Sequence, residues 1–202
     1  MLIVNNFVDQ SKHAAAMNNL CSQLQKTSEC SIDRISHDDF GPEFVEGRLA
    51  NYDAIILSGS EALYSRAEDR MKFERTVKGI EMVRLPTLGI CGGHQLLAMA
   101  YGEKIIYTGN LQQGYYEVEI LAEDPLFEGL TSKIQVRESH WEIVENIPKR
   151  FSLLARSENS PIEAMKAEHG ILYGVQFHPE VNDDAHPNGA AVLRNFARII
   201  RR

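Results

Sequence analysis

The chain has 202 residues, of which 44% are hydrophobic and 24% charged, and its formal net charge at pH 7 is −7. This length and composition are ordinary for one globular domain with a substantial core, and they argue against intrinsic disorder. The acidic balance argues against a nucleic-acid partner, because no basic excess is available to neutralise phosphates.

The first half of the chain alternates strand-like and helix-like segments. Residues 2–7 are an apolar run, and the following stretch, residues 12–25, is predicted to be helical because Met17, Leu20 and Leu24 recur at helical spacing. The next predicted elements keep this order: strands 30–35 and 52–57, a helix over 69–83, a strand over 86–90 and a helix over 96–101. Such alternation predicts a parallel sheet covered on both faces, with ligands beyond the carboxyl ends of its strands.

After residue 102 the pattern changes to shorter strand-like segments. The predicted strands are 104–107, 115–121, 134–137, 151–155, 162–166 and 171–177, and a final helix covers 190–201. These strands predict an antiparallel or mixed extension of the sheet in the second half of an α/β fold. The sequence contains no internal repeat and no obvious linker, so residues 1–202 are predicted to form a single domain.

The N-terminus and the cysteines bear on location. No run of about 20 apolar residues is present, and residues 1–6 lack the basic region of a signal peptide, so we expect a cytoplasmic protein without a membrane partner. The three cysteines, Cys21, Cys30 and Cys91, do not predict a disulfide framework. No closely spaced Cys/His cluster exists, so neither a metal nor another cofactor is expected.

The most informative segment is residues 88–98 (LGICGGHQLLA), in which an apolar strand runs into Cys91 and a helix follows at once. This is the layout of a nucleophile elbow, whose glycines permit strained backbone angles and whose helix N–H groups can hold an oxyanion. A lone cysteine beside a glycine turn is more often a buried structural residue. His94 is predicted to be a packed histidine, because an elbow points its nucleophile away from its own helix.

A thiol nucleophile needs a base, and the base needs an orienting group. Residues 173–180 (YGVQFHPE) end a predicted strand in His178, with Glu180 two positions on, across a proline. Alone, this string is more often a loop than a catalytic pair. Together with the elbow, it predicts a triad in the order Cys91, His178, Glu180.

The strings at 89–95 (GICGGHQ) and 174–180 (GVQFHPE) resemble the two signature motifs of class I glutamine amidotransferases. The similarity extends over nearly the whole chain, including the loop that ends at Gly59 and the Ser139-His140 pair. Residues 139–144 (SHWEIV) and 178–181 (HPEV) look most like the glutaminase part of GMP synthase. The resemblance implies a flavodoxin-like sheet and L-glutamine as substrate.

The resemblance also implies a role for each residue of the motifs. Cys91 attacks the glutamine side-chain amide, His178 is general base and then general acid, and Glu180 orients the imidazole. Two further groups are implied: oxyanion donors at Gly92, Gly59 and Ser60, and substrate-binding residues at Gln95, Gln113, Gly114 and Tyr115.

Three positions in two segments depart from the family pattern. The loop that usually reads Ser-Gly-Gly-Pro is Ser-Gly-Ser-Glu at residues 58–61. We expect Ser60 to adopt glycine-like backbone angles at some cost, or the loop to be remodelled or ordered only with a partner. Trp141 replaces a usually small residue, and it is either a partner-facing or lid residue or packed into the sheet edge.

Three functions remain open at the level of sequence. The first is a glutaminase that feeds ammonia to a separate synthetase subunit, because family members usually supply a synthetase and none is encoded in these residues. The second is a stand-alone γ-glutamyl hydrolase or peptidase with the same triad. The third is a non-catalytic regulatory protein, for which the altered loop at Ser60 and Glu61 is the only support.

Overall fold

A computed structural model describes residues 1–28 and 30–201. The strands within these ranges are β1 Leu2–Asn5, β2 Asp33–Ser36, β3 Ile55–Leu57, β4 Thr87–Ile90, β5 Ile105–Ile120, β6 Lys133–Val144, β7 Phe151–Arg156, β8 Ala164–Ala167 and β9 Leu172–Val175. The α-helices are α1 Ala14–Thr27, α2 Pro42–Arg48, α3 Ala67–Lys72, α4 Glu74–Met82, α5 Gly92–Ala100 and α6 Asn188–Ile199. Within the two described ranges, none of the helices has the length and apolar character that a membrane span requires.

All nine strands belong to one sheet, in the order β2-β1-β3-β4-β9-β8-β7-β5-β6. The strands from β2 to β9 pair in parallel, and the pairs from β9 to β6 are antiparallel. The predicted α/β fold, with a parallel core and an antiparallel extension in the second half, is confirmed.

The central strands are apolar because helices cover both faces of the parallel part. Every residue of β1, β3, β4 and β9 is buried, whereas the edge strand β2 is partly exposed. One core lies beneath α1 and α6, with Leu20 and Phe196 among its residues. The other lies beneath α2, α4 and α5, with Phe44, Ile80 and Leu96.

Several predicted elements have different bounds. The helix predicted over 69–83 is broken between α3 and α4 at Phe73, whose buried ring packs against His37 and Tyr64. The strands predicted at 104–107 and 115–121 are one strand, β5, with an irregularity in its pairing with β6 between Tyr107 and Gln112. The polar residues in that irregular part hide the strand from an apolar pattern.

The seven-residue helix α2 was not predicted. It begins with Pro42 and buries only Phe44, so it carries no apolar periodicity that a sequence pattern could detect.

The pairing of β4 with β9 determines where the site lies. Gly89 of β4 is opposite Gly174 of β9, and both strands run in the same direction. Their carboxyl ends therefore deliver Cys91 and His178 to the same edge of the sheet, where ligands bind in folds of this kind.

Candidate active site

Cys91 lies between the end of β4 and the start of α5, in an uncommon backbone conformation. Its φ is 49° and its ψ is −104°, a combination of backbone angles that residues other than glycine rarely adopt. The Cys91 N–H donates to the Val175 carbonyl at 2.8 Å, and the Cys91 carbonyl accepts from Gln95 N–H at 3.1 Å. These bonds hold the strained elbow that the sequence predicts.

The glycines after Cys91 allow the elbow to touch the neighbouring β3 segment backbone to backbone. A Cβ atom on Gly93 would overlap with the carbonyl of Leu57, the last residue of β3. A Cβ atom on Gly92 would lie 2.7 Å from the backbone nitrogen of Ser60. The start of α5 therefore packs backbone to backbone against the end of β3 and the loop that follows it.

His178 and Glu180 form a hydrogen-bonded pair, with 2.8 Å between Nδ1 and Oε1. The backbone N–H of His178 also donates to the Arg137 carbonyl at 2.8 Å, which attaches the His178 backbone to β6. Burial acts to lower the pKa of His178, but the neighbouring Cys91 and Glu180 raise this pKa well above its usual value. With Nδ1 facing Glu180, Nε2 is the ring nitrogen left for the thiol.

The backbone at Gly59 lies close to both His178 and Cys91. A Cβ atom placed on Gly59 would lie 3.1 Å from Cε1 of His178 and 3.9 Å from Cβ of Cys91. The predicted oxyanion loop, the predicted nucleophile and the predicted base are thus in contact with one another.

Gln176 is a neighbour of the thiol that the sequence analysis did not single out. Its Nε2 lies 3.7 Å from Sγ of Cys91, and its Oε1 accepts from Nε2 of Gln95 at 3.3 Å. Gln95 also donates to the Glu142 carbonyl at 2.8 Å. The signal available in the sequence was a polar residue, between Val175 and Phe177, in an otherwise buried strand end.

In the loop at residues 58–61, Ser60 does not have a positive φ. Among the described non-glycine residues, only Cys91 and Arg150 have a positive φ, so Ser60 does not adopt the left-handed angles expected as one alternative, and the alternative of a remodelled loop stays a prediction. Asn6 donates its N–H to Ser58 Oγ at 2.9 Å and its side-chain amide to the Ser58 carbonyl at 2.8 Å. The loop is therefore attached to the segment after β1.

A cavity of about 470 Å³ opens beside Cys91, which is enough space for a molecule of amino-acid size. Its wall includes Cys91, His178, Glu180, Gly59, Ser60 and Gln95. The predicted substrate-binding stretch from Gln113 to Tyr115 is not part of the described wall. It lies on β5, paired with β6, where the Tyr115 ring stacks on His186 at 3.7 Å.

Trp141 lines the same cavity and is 39% exposed, with its ring stacked on Tyr107 at a centroid distance of 5.8 Å. The ring therefore packs on the neighbouring strand β5 at the sheet edge and also faces the cavity, so the structure fits both alternatives for Trp141.

Buried ionisable groups lie behind the site. His94 is fully buried, and burial lowers its pKa to about 3, so it is a neutral packed histidine as predicted. Burial raises the pKa of Glu138 to about 8 and holds the pKa of Glu163 well above its usual value. Oε2 of Glu138 lies 3.1 Å from Nε2 of His140. No pattern in the sequence indicates that the carboxyl groups of Glu138 and Glu163 are buried together.

The family model of glutamine amidotransferase class-I matches residues 10–200. A subunit of the glutamine-hydrolyzing GMP synthase of Pyrococcus abyssi is 44% identical over 152 residues, which cover 75% of this chain and 78% of the relative. The corresponding subunit from Pyrococcus furiosus is 43% identical over 145 residues, 72% of this chain and 74% of the relative.

Two solved structures are also similar. A protein of Thermoplasma acidophilum described as a subunit of GMP synthase superposes with a TM-score of 0.82 at 26% identity, covering 99% of this chain and 92% of its own. A glutamine amidotransferase of Thermotoga maritima superposes with a TM-score of 0.75 at 19% identity, covering 98% and 96%, and shows the shared fold.

Proposed function

The chain belongs to the class I glutamine amidotransferase family, and on this premise we propose that it releases ammonia from the side-chain amide of L-glutamine with Cys91, His178 and Glu180 as its triad. The observation that carries the proposal is that the strained Cys91 elbow and the hydrogen-bonded His178–Glu180 pair line the same cavity, with the Gly59 backbone against both. In this proposal, residues 1–202 form one cytoplasmic domain.

In the first half of the reaction, Sγ of Cys91 attacks the amide carbon of glutamine and its proton passes to Nε2 of His178. The negative charge that develops on the carbonyl oxygen is held by the N–H groups of Gly92 and of the Gly59–Ser60 loop. When the tetrahedral intermediate collapses, the C–N bond breaks and the nitrogen takes the proton from His178. Ammonia leaves and a γ-glutamyl thioester remains on Cys91.

In the second half, His178 removes a proton from water as the water oxygen attacks the thioester carbon. The C–S bond breaks, the proton returns to the thiolate, and glutamate is released. Glu180 holds the imidazole in the orientation that presents Nε2 to the sulfur in both steps, and it stabilises the imidazolium that forms between them.

We further propose that the ammonia is used by a separate synthetase subunit. The support is the name of the relatives, which are subunits of a glutamine-hydrolyzing GMP synthase. The test is to measure ammonia and glutamate release from L-glutamine with and without the GMP-forming synthetase subunit of the same cell. We expect glutamine-dependent GMP formation only when both proteins are present.

The same assay separates the proposal from the hydrolase alternative. Rapid hydrolysis of several γ-glutamyl compounds by the isolated chain, without any gain on adding the synthetase subunit, would support a stand-alone hydrolase. Failure of the wild-type chain to release ammonia from glutamine under either condition would refute the glutaminase itself.

A further inference from the structure

Glu61 binds a neighbouring loop through both of its carboxylate oxygens. Oε1 accepts from the N–H of Asp9 at 2.7 Å, and Oε2 accepts from the N–H of Val8 at 3.1 Å. Val8 and Asp9 belong to the connection between β1 and α1, and Asp9 lies 52 residues before Glu61 in the chain. Nε2 of His13 lies 3.8 Å from the same carboxylate. Hydrogen bonds to an ionised carboxylate are among the stronger ones in proteins.

This attachment lies next to the predicted oxyanion donors. Ser58, on one side of Gly59 and Ser60, is bound to Asn6. Glu61, on the other side, is bound to Val8 and Asp9. The N–H groups of Gly59 and Ser60, which must point at the oxyanion, therefore lie between two attachment points. Both attach the loop to the connection between β1 and α1.

The other contacts of the loop do not replace Glu61. Ser60 Oγ accepts from the N–H of Ala62, a bond within the loop itself. Further along, the Glu142 carboxylate accepts from the N–H groups of Tyr64 and Ser65, at 2.7 and 3.0 Å. These anchors begin several residues beyond Ser60. Nearer to it, Ser58 Oγ donates to the Gly59 carbonyl at 2.9 Å, in the same peptide group as the Ser60 N–H. Ser58 therefore holds this peptide group from one side, and Glu61 holds the loop from the other.

We propose that Glu61 is a positioning residue of the glutaminase reaction, which fixes the Gly59–Ser60 backbone so that its N–H is aimed at the oxyanion. The inference rests on the proposed function. An oxyanion donor contributes only when it is aligned before the charge develops, and losing one typically costs a factor of about 100 to 1,000 in turnover. Glu61 stands where the family pattern has a proline, and in this chain it holds the loop by hydrogen bonds.

A direct contact with substrate is the competing role, because Glu61 also lines the cavity. A carboxylate that bound the α-ammonium group of glutamine would stabilise the bound substrate and the transition state equally. Its loss would raise KM and leave kcat unchanged. A positioning role predicts the opposite, a lower kcat with little change in KM.

The experiment compares Glu61→Ala and Glu61→Gln with a control, Glu43→Ala. Glu43 is an exposed carboxylate on α2 that pairs with Arg75 at 2.8 Å, so its removal changes the charge equally at a site away from the loop. We expect Glu61→Ala to lower kcat about 10- to 100-fold with KM within about twofold of wild type. Glu61→Gln keeps one acceptor oxygen and should lose less, and Glu43→Ala should match wild type.

The rate at which iodoacetamide alkylates Cys91 is measured on the same proteins. Alkylation forms no oxyanion, so Glu61→Ala should react at the wild-type rate. A general collapse of the site would slow both reactions and would overturn the inference, as would unchanged kcat or a rise in KM alone. A wild-type protein that is alkylated but releases no ammonia would overturn the proposed function and this inference with it, whereas normal ammonia release by Glu61→Ala overturns only the inference.

Discussion

Nδ1 of His178 lies 2.8 Å from Oε1 of Glu180, and this contact determines which ring nitrogen serves the thiol. We expect His178→Ala to abolish turnover almost as completely as loss of the thiol, because the reaction then lacks the base that takes the thiol proton. Glu180→Gln should cost less, since it removes charge and orientation but transfers no proton itself. Steady-state ammonia release from glutamine measures both. A Glu180→Gln protein more impaired than His178→Ala would contradict these roles.

Replacement of Cys91 by alanine should reduce ammonia release by at least about a thousandfold, because no covalent thioester can form. The change removes one sulfur atom from a buried site and keeps the Cβ atom, so the fold should survive. The far-ultraviolet circular dichroism spectrum is the control for folding. Near-normal turnover by a folded Cys91→Ala protein would exclude the mechanism.

The buried Glu138 predicts a stability that falls as the pH rises from about 4.5 to about 8. Burial raises its pKa from 4.5 to about 8, so between these values the folded protein keeps a proton that the unfolded chain releases. The stability that this group contributes is therefore complete below about pH 4.5 and is lost as the pH rises through 8. The expected slope is about 1.4 kcal/mol per pH unit.

The measurement is urea unfolding at pH 6 and pH 8, for wild type and for Glu138→Gln. The amide cannot ionise, so the variant should lose less stability over this interval than wild type does. Glu43→Gln, on the exposed surface, is the control and should follow wild type. Equal losses in wild type and Glu138→Gln would show that Glu138 is ionised in the folded protein across this range.

The buried His94 predicts the opposite trend in acid. Burial lowers its pKa from 6.5 to about 3. Between these pH values the imidazole is protonated in the unfolded chain but stays neutral in the folded protein. This contribution is complete above pH 6.5 and is lost as the pH falls towards 3. We expect His94→Gln to flatten the loss of stability between pH 6 and pH 4, relative to wild type, as measured by urea unfolding. An unchanged acid slope in the variant would contradict a neutral buried imidazole.

A matched pair of glycine substitutions tests the close approach beneath the thiol. Gly93→Ala should destabilise the protein by about 2 kcal/mol, because the new methyl group overlaps with the Leu57 carbonyl, a backbone atom held in the sheet. Gly47→Ala, in α2, meets no atom within 4 Å and should stabilise by about 0.5 to 1 kcal/mol. Thermal unfolding of the two variants should shift in opposite directions, and a shift of both in the same direction would contradict this packing.

The sequence predicts those parts of the site whose residues are close neighbours along the chain. Cys91 with its glycines is a local backbone feature, and His178 with Glu180 is a local pair, so both could be found without any knowledge of the fold. The apolar runs of the parallel core were equally visible, because strands buried on both faces have few polar residues.

The rest depends on contacts between distant segments. Glu138 and Glu163 are far apart in the chain, and each alone has the appearance of an ordinary surface glutamate. The hydrogen bonds from Glu61 to Val8 and Asp9 join loops after different strands. Of the alternatives for Ser60, the left-handed one is not found, and the bonds from Asn6 to Ser58 and from Val8 to Glu61 that hold this loop join distant segments, which a local string cannot reveal.

The place of β9 between β4 and β8 has a consequence for how the enzyme is made. Cys91 and Gln176 touch although 85 residues separate them, and this contact exists only after β9 has been inserted into the sheet. Pairings of such long range are slow to form, and a chain under synthesis exposes its N-terminal part first. A nascent chain therefore carries the thiol long before it carries the base. Ammonia release should therefore begin only after β9 has left the ribosome. An incomplete nascent chain should not hydrolyse glutamine.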